Sequence, residues 1–311
     1  MSSSAAPSYG ERLAAQVAAR ESQIVLGIDP DPAALWPGSE PGPSGSAAER
    51  AADAVLSHCR ALIDAAGPAC AAVKPQLACF ERLGWAGVKA LAGTVEHAHE
   101  AGLLVIADGK RGDIDVSARA YAQSLFSGLE TPYGEVKGLC AEMATVNPLM
   151  GRDTLLAMLK VAREAGSALL VLVRTSNPGA ADVEDLVLDG ASGGARTVWE
   201  RLAGLVAELG GQAVDGSGLG DVGAVVGATA PSHLQRAREL MPNAVFLLPG
   251  VGAQGGRVEA LAPAFANGRH CGLISASRSI VGAHNEQHSE PAAAARAEAE
   301  RLRELAWGLS G

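Results

Sequence analysis

Eight short apolar runs recur along the chain, and the segments between them carry the mixed polar and apolar spacing of surface helices. The runs occupy residues 24–28, 69–73, 103–107, 144–146, 168–173, 222–227, 245–248 and 272–276, and helical periodicity falls at 47–66, 82–100, 117–125, 154–164, 197–208 and 232–241. A strand that is apolar throughout needs cover on both faces, which a parallel sheet wrapped in helices provides. Eight such units in 311 residues predict an α/β protein, a single-domain (β/α)8 TIM barrel, with a doubly wound open sheet as the alternative. Aromatics make up 4% of residues against 48% hydrophobic in all, so the core is predicted to be mainly Ala, Val and Leu.

A barrel of this kind assembles its site from the carboxyl ends of the strands. Those ends carry Asp29, Lys74, Asp108 with Lys110 and Asp113 just beyond, Arg174-Thr175-Ser176-Asn177-Pro178, a Gly-rich run over 249–256, and Ser277-Arg278-Ser279. Polar groups at so many strand ends would cost stability if left unpaired, so folding alone does not account for them. The most informative stretch is Asp108-Gly109-Lys110-Arg111-Gly112-Asp113, which sets an ammonium between two carboxylates. At about 4 Å and an effective dielectric of ~20, each contact is worth roughly 4 kcal/mol before desolvation. Such an array keeps Lys110 charged and aims it; a surface salt-bridge cluster is the plainer alternative.

The run after the seventh strand has the spacing G-x-G-x-x-G at Gly250, Gly252 and Gly255. A dinucleotide site is the wrong reading, because that fingerprint belongs after the first strand of a βαβ unit and needs an acidic residue about 20 positions on. Glycines that let backbone N–H groups approach an anion, with Arg278 on the next strand end, predict a barrel phosphate site.

The net charge of -9 and the scatter of Lys and Arg argue against a nucleic-acid partner. The five cysteines form no C-x-x-C pair and read as reduced, mostly buried residues. With no signal-like start and no run of about 18 apolar residues, the chain is expected to be cytoplasmic with no membrane partner. Residues 1–8 read as a flexible tail, 30–46 and 177–196 as long loops, either able to act as a lid or to be a tolerated surface insertion, and 291–309 as a closing helix. His284 and His288 have helical H-x-x-x-H spacing but no third ligand, so no metal is expected there; His97 and His99 read as solvent-facing.

The strings LGIDP, VKPQ followed by Phe80-Glu81-Arg82, DGKRGDI, RTSNPG, GATAP, LLPGVGAQGG and SASRSI resemble, in order and spacing, the orotidine 5'-phosphate decarboxylase family, specifically its longer bacterial form (type 2) with KPQ and KRGD signatures. The resemblance runs from about Tyr9 to Ala283, outside the tail and the 177–196 insert. It implies a (β/α)8 homodimer with no metal or organic cofactor, converting orotidine monophosphate to UMP and carbon dioxide in the last step of de novo UMP synthesis. By the same resemblance Lys110 is the proton donor and Asp108 lies beside the departing carboxylate. Asp113 and Ser117, the latter in a place where many relatives carry threonine, come from across the dimer interface. Asp29 and Lys74 hold the ribose, with Lys74 also catalytic as an extension of the charged chain to Asp108, Ser176 holds the pyrimidine edge, and Gln254, Gly255 and Arg278 the phosphate.

Overall fold

The computed structural model describes residues 7–189, 196–229, 231–252, 255–287 and 289–309. Eight parallel strands close into a barrel: β1 (Ile24–Ile28), β2 (Ala72–Pro75), β3 (Leu104–Arg111), β6 (Met143–Val146), β7 (Ala168–Arg174), β8 (Val222–Val226), β9 (Phe246–Pro249) and β10 (Gly272–Ala276). Each strand neighbours the next along the chain and β10 pairs with β1, with Ile24, Val25 and Leu26 opposite Ile274, Ser275 and Ala276.

Alternation along the strands sorts side chains into two layers. On β1 the Ile24, Leu26 and Ile28 side chains join the shell beneath the helices, whereas Val25 joins a smaller cluster with Ala72, Ile106, Met143, Leu170, Val225, Leu247 and Leu273. That cluster fills the barrel. Helix α1 (Tyr9–Arg20) closes its lower end, with Tyr9, Leu13 and Val17 packed on the same residues. A Ser8–Glu11 capping box starts α1, and Ser46–Glu49 does the same for α2 (Ala47–Ala66). Ser8, at the edge of the expected tail, is therefore an ordered cap.

The helical layer continues with α3 (Leu77–Glu81), α4 (Gly84–Glu100), α5 (Asp115–Ala122), α6 (Arg152–Glu164), α7 (Val198–Gly210) and α8 (Ser232–Leu240). It ends with the short α9 (Arg278–Val281) and α10 (Ala283–Gln287) and the closing α11 (Pro291–Leu309). Between β9 and β10 a 3₁₀ segment, Val258–Phe265, takes the place of a helix, with Pro263 inside it. Proline lacks the N–H that an α-helix interior requires.

Four expectations need correction. The second strand starts at Ala72, because Gly67–Ala69 is a 3₁₀ turn led by Pro68. The third runs on to Arg111, so Asp108 and Lys110 lie within β3. An antiparallel hairpin, β4 (Gly128–Thr131) with β5 (Gly134–Lys137), stands outside the barrel where no strand was expected; its sequences GLET and GEVK contain no apolar run. His97 and His99 are partly buried against carboxylates, His97 on Asp64 (2.7 Å) and His99 on Glu142 (3.4 Å). His288 lies outside the described residues.

Candidate active site

The carboxyl ends of the strands surround a cavity of about 580 Å³. Its wall includes Asp29, Lys74, Gln76, Asp108, Lys110, Thr145, Ser176, Glu184, Gly250 and Arg278. Six of the ten sequence-predicted residues are thereby brought together from β1, β2, β3, the β7 end and α9.

Asp108 is the hub. The residue is 5% exposed, and each carboxylate oxygen accepts two hydrogen bonds. Oδ2 takes Lys74 Nζ at 2.6 Å and Gln76 Nε2 at 3.3 Å, while Oδ1 takes Lys110 Nζ at 2.7 Å and Thr145 Oγ1 at 2.8 Å. Burial by itself would raise the Asp108 pKa, but the two ammoniums and their hydrogen bonds outweigh it and lower the value to about 2. Burial likewise opposes the charge on Lys74, yet the Asp108 and Asp29 carboxylates beside it raise its pKa on balance. Both groups are ionised across the neutral range, and Lys110 reaches into the cavity from the more exposed side of the same carboxylate.

The backbone that aims Lys110 is irregular. Ala107 pairs with Ala144 and Arg111 with Val146, so four steps along β3 match two along β6. Within this bulge Lys110 adopts φ 47°, a left-handed conformation that L residues avoid. Its N–H donates to Thr145 Oγ1 at 2.9 Å, and Arg111 turns outward to pair with Glu81 and to stack 5.4 Å over Tyr121.

At the end of β7 the backbone is held by the first part of the 177–196 insert. Arg174 is buried and forms a two-pronged pair with Asp185 (2.8 and 2.9 Å), and Glu184 accepts the Thr175 N–H at 2.8 Å. Arg174 is thus a tether, and Thr175 and Ser176 face the cavity. Residues 190–195 of the insert lie outside the described residues.

The glycine run differs from expectation. Gly250, Gly252 and Gly255 all have positive φ (103°, 75° and 86°), which explains the residue choice. Three of the described amides turn back into the loop: Gly255 N–H donates to the Gly252 carbonyl (2.8 Å), Gly256 to Gly250 (3.0 Å) and Gly252 to Gly256 (3.0 Å). Gly255 is absent from the cavity wall, and its N–H is not offered to an anion. Gln254 lies outside the described residues, so Arg278 is the predicted phosphate contact found facing the cavity.

Asp113 and Ser117 also stand away from this cavity. Asp113 accepts the Ile114 N–H at 2.8 Å, and Ser117 is exposed on α5. Several cavity residues were not singled out in the sequence, Thr145 and Gln76 among them. Thr145, 1% exposed, had as its only signal a hydroxyl in an otherwise apolar strand, and Gln76 was part of the VKPQ string with no role attached. Among the described residues there is no cluster of three or more His, Cys, Asp or Glu able to hold a metal, and no helix is long and apolar enough to cross a membrane.

Comparison with known proteins places this geometry. Residues 22–296 match the profile of the orotidine 5'-phosphate decarboxylase / HUMPS family. The chain is 37% identical over 289 residues to the orotidine 5'-phosphate decarboxylase of Rhodopirellula baltica, covering 92% of each protein. It is 45% identical over 224 residues to that of Deinococcus radiodurans, covering 70% of this chain and 74% of the relative. The structure of Leishmania donovani OMP decarboxylase superposes with a TM-score of 0.68 at 29% identity, covering 96% of this chain and 99% of that one. With the profile spanning most of its length and its charged array set at the strand ends of a closed barrel, the chain belongs to the orotidine 5'-phosphate decarboxylase / HUMPS family.

Proposed function

We propose that the chain is a carboxy-lyase that converts orotidine 5'-phosphate to UMP and carbon dioxide, the closing step of UMP synthesis, using no metal or organic cofactor. The observation that carries the reading is the Lys74–Asp108–Lys110 array in the wall of the 580 Å³ cavity at the barrel mouth. A magnesium-dependent sugar-phosphate decarboxylase on the same scaffold would want acidic ligands where Lys74 places an ammonium.

The chemistry follows from charge placement. The bond from the pyrimidine ring carbon to its carboxylate breaks, carbon dioxide leaves, and the electron pair stays on the ring carbon. An sp² carbon offers no electron sink, so the developing charge needs a preorganised cation, and Lys110 supplies it and then the proton. Asp108 faces the substrate carboxylate; their repulsion, roughly 4 kcal/mol at 4 Å and a dielectric of ~20, is below the 8 to 23 kcal/mol that enzymes typically supply. The balance comes from Lys110 and from binding energy at the phosphate and ribose, used to orient the ring. Asp29 and Lys74 hold the ribose hydroxyls, Ser176 the pyrimidine edge, and Arg278 with Gln254 the phosphate.

The site is completed by a second copy that donates Asp113 and Ser117. Support comes from the exposed apolar residues that follow Asp113, Ile114 (58%) and Val116 (76%), with the exposed Met150 packed beside Gly112. If sites are shared, co-refolding Lys110→Ala chains with Asp113→Ala chains should restore activity that neither has alone. Half the dimers would be mixed, each with one intact site, so recovery should approach about a quarter of wild type. No recovery would place Asp113 in its own chain's site or outside catalysis.

The direct test is loss of orotidine 5'-phosphate ultraviolet absorbance on adding protein in the presence of EDTA. Metal-independent conversion is expected, and inert folded protein would overturn the reading. Arg278→Ala should lower kcat/KM by about 10- to 100-fold, mostly through KM, as expected for a lost charge-assisted hydrogen bond. An unchanged kcat/KM would put the phosphate elsewhere.

A further inference from the structure

We infer that Thr145 is a positioning residue for this decarboxylation, because its one hydroxyl fixes both Asp108 and the backbone of Lys110; the inference rests on the function proposed above. Asp108, as a carboxylate, can only accept hydrogen bonds, and the Lys110 N–H can only donate. Bridging them with one atom takes a group that donates and accepts together, and a hydroxyl is the smallest side chain that can. Thr145 Oγ1 donates to Asp108 Oδ1 at 2.8 Å, which commits its hydrogen, and a lone pair accepts the Lys110 N–H at 2.9 Å.

The anchor is rigid for two reasons. Thr145 lies in the middle of β6 and pairs with Leu170 of β7, so its backbone is fixed by the barrel. Its branched Cβ restricts χ1, which leaves the hydroxyl little freedom once the methyl is packed. The bulge opposite is the reverse case: Asp108, Gly109 and the left-handed Lys110 have no ladder partners on β6. The hydroxyl supplies that missing partner and ties it to the carboxylate that also holds Lys110 Nζ at 2.7 Å. Main chain and ammonium of the same lysine are thus set from one point, leaving the side chain to span a fixed gap towards the ring carbon.

The test compares Thr145→Val, which keeps the shape, with Thr145→Ser, which keeps the hydroxyl, and with Thr145→Ala. Thr145→Val and Thr145→Ala should lose about 30-fold in kcat with KM changed less than about 3-fold, a barrier increase of about 2 kcal/mol. Thr145→Ser should stay within about 3-fold of wild type. A structural role alone would make Ser and Ala fall together with their loss of the methyl group, and that pattern, or wild-type kcat in Thr145→Val, would overturn the inference. If Thr145→Val does not fold, the Ser against Ala comparison decides. Should wild type fail to decarboxylate, the proposed function fails, and the geometry is judged separately by a crystal structure of Thr145→Ala, in which Lys110 is expected to leave the left-handed region. A Lys110 backbone unmoved in that variant would overturn the positioning role whatever the reaction.

Discussion

Replacing Lys110 with alanine should reduce kcat by at least about 10⁴-fold, since it removes both a general acid and the cation that meets the carbanion, worth about 10²–10⁴ and 10²–10³ respectively. The fall should appear as a flat absorbance trace with orotidine 5'-phosphate under conditions where wild type consumes it. Binding of UMP should survive within about an order of magnitude. The residues proposed for ribose and phosphate, Asp29, Lys74 and Arg278, stand elsewhere on the cavity wall, and Asp108 keeps Lys74 as an ion-pair partner. Lys110→Arg should rescue little: a guanidinium keeps the charge but gives up its proton far less readily, and its planar fork does not match the single Asp108 Oδ1 contact. A variant retaining a tenth of wild-type kcat would remove Lys110 from the proton-transfer step.

The pattern of the barrel was legible because it depends on what repeats. Apolar runs such as 24–28 and 168–173 fixed strand identity, and both fall on strands that are buried on two faces. The charged motif was legible for a similar reason: Asp108 and Lys110 follow directly on the apolar run 103–107, where a strand end is expected. Details that depend on one residue meeting another far along the chain were not legible. Nothing near Thr145 announces that β3 bulges opposite it, because the bulge arises from a mismatch of register between β3 and β6. The tether of Arg174 to Asp185 and of the Thr175 N–H to Glu184 likewise joins a strand end to an insert whose composition alone suggested a loose lid. Gly255 shows the converse limit: its residue type correctly signalled a left-handed turn, but the direction of its N–H was set by how that turn closes on Gly252.

The second large effect is expected from Asp108→Asn, and here stability and chemistry are linked. The amide keeps the volume and still accepts at one position, but it no longer neutralises Lys74, which is 7% exposed. Leaving a buried ammonium without its partner typically costs about 3–5 kcal/mol, which urea unfolding at neutral pH would read as a lower midpoint at similar m. The sign with pH follows from the depressed Asp108 pKa, about 2 in the folded chain against an ordinary value near 4. The unfolded chain binds the proton more tightly, so the carboxylate stabilises fully above about pH 4 and loses that contribution as pH falls towards 2; the amount at stake is about 2–3 kcal/mol. The stability gap between wild type and Asp108→Asn should therefore narrow when both are compared at pH 3 instead of pH 7. A gap independent of pH would mean that Asp108 owes its stabilising effect to shape and not to charge. That outcome would also weaken the catalytic reading, because the carboxylate placed against the substrate's own must stay ionised, and it is the pair of lysines on its two oxygens that keeps it so.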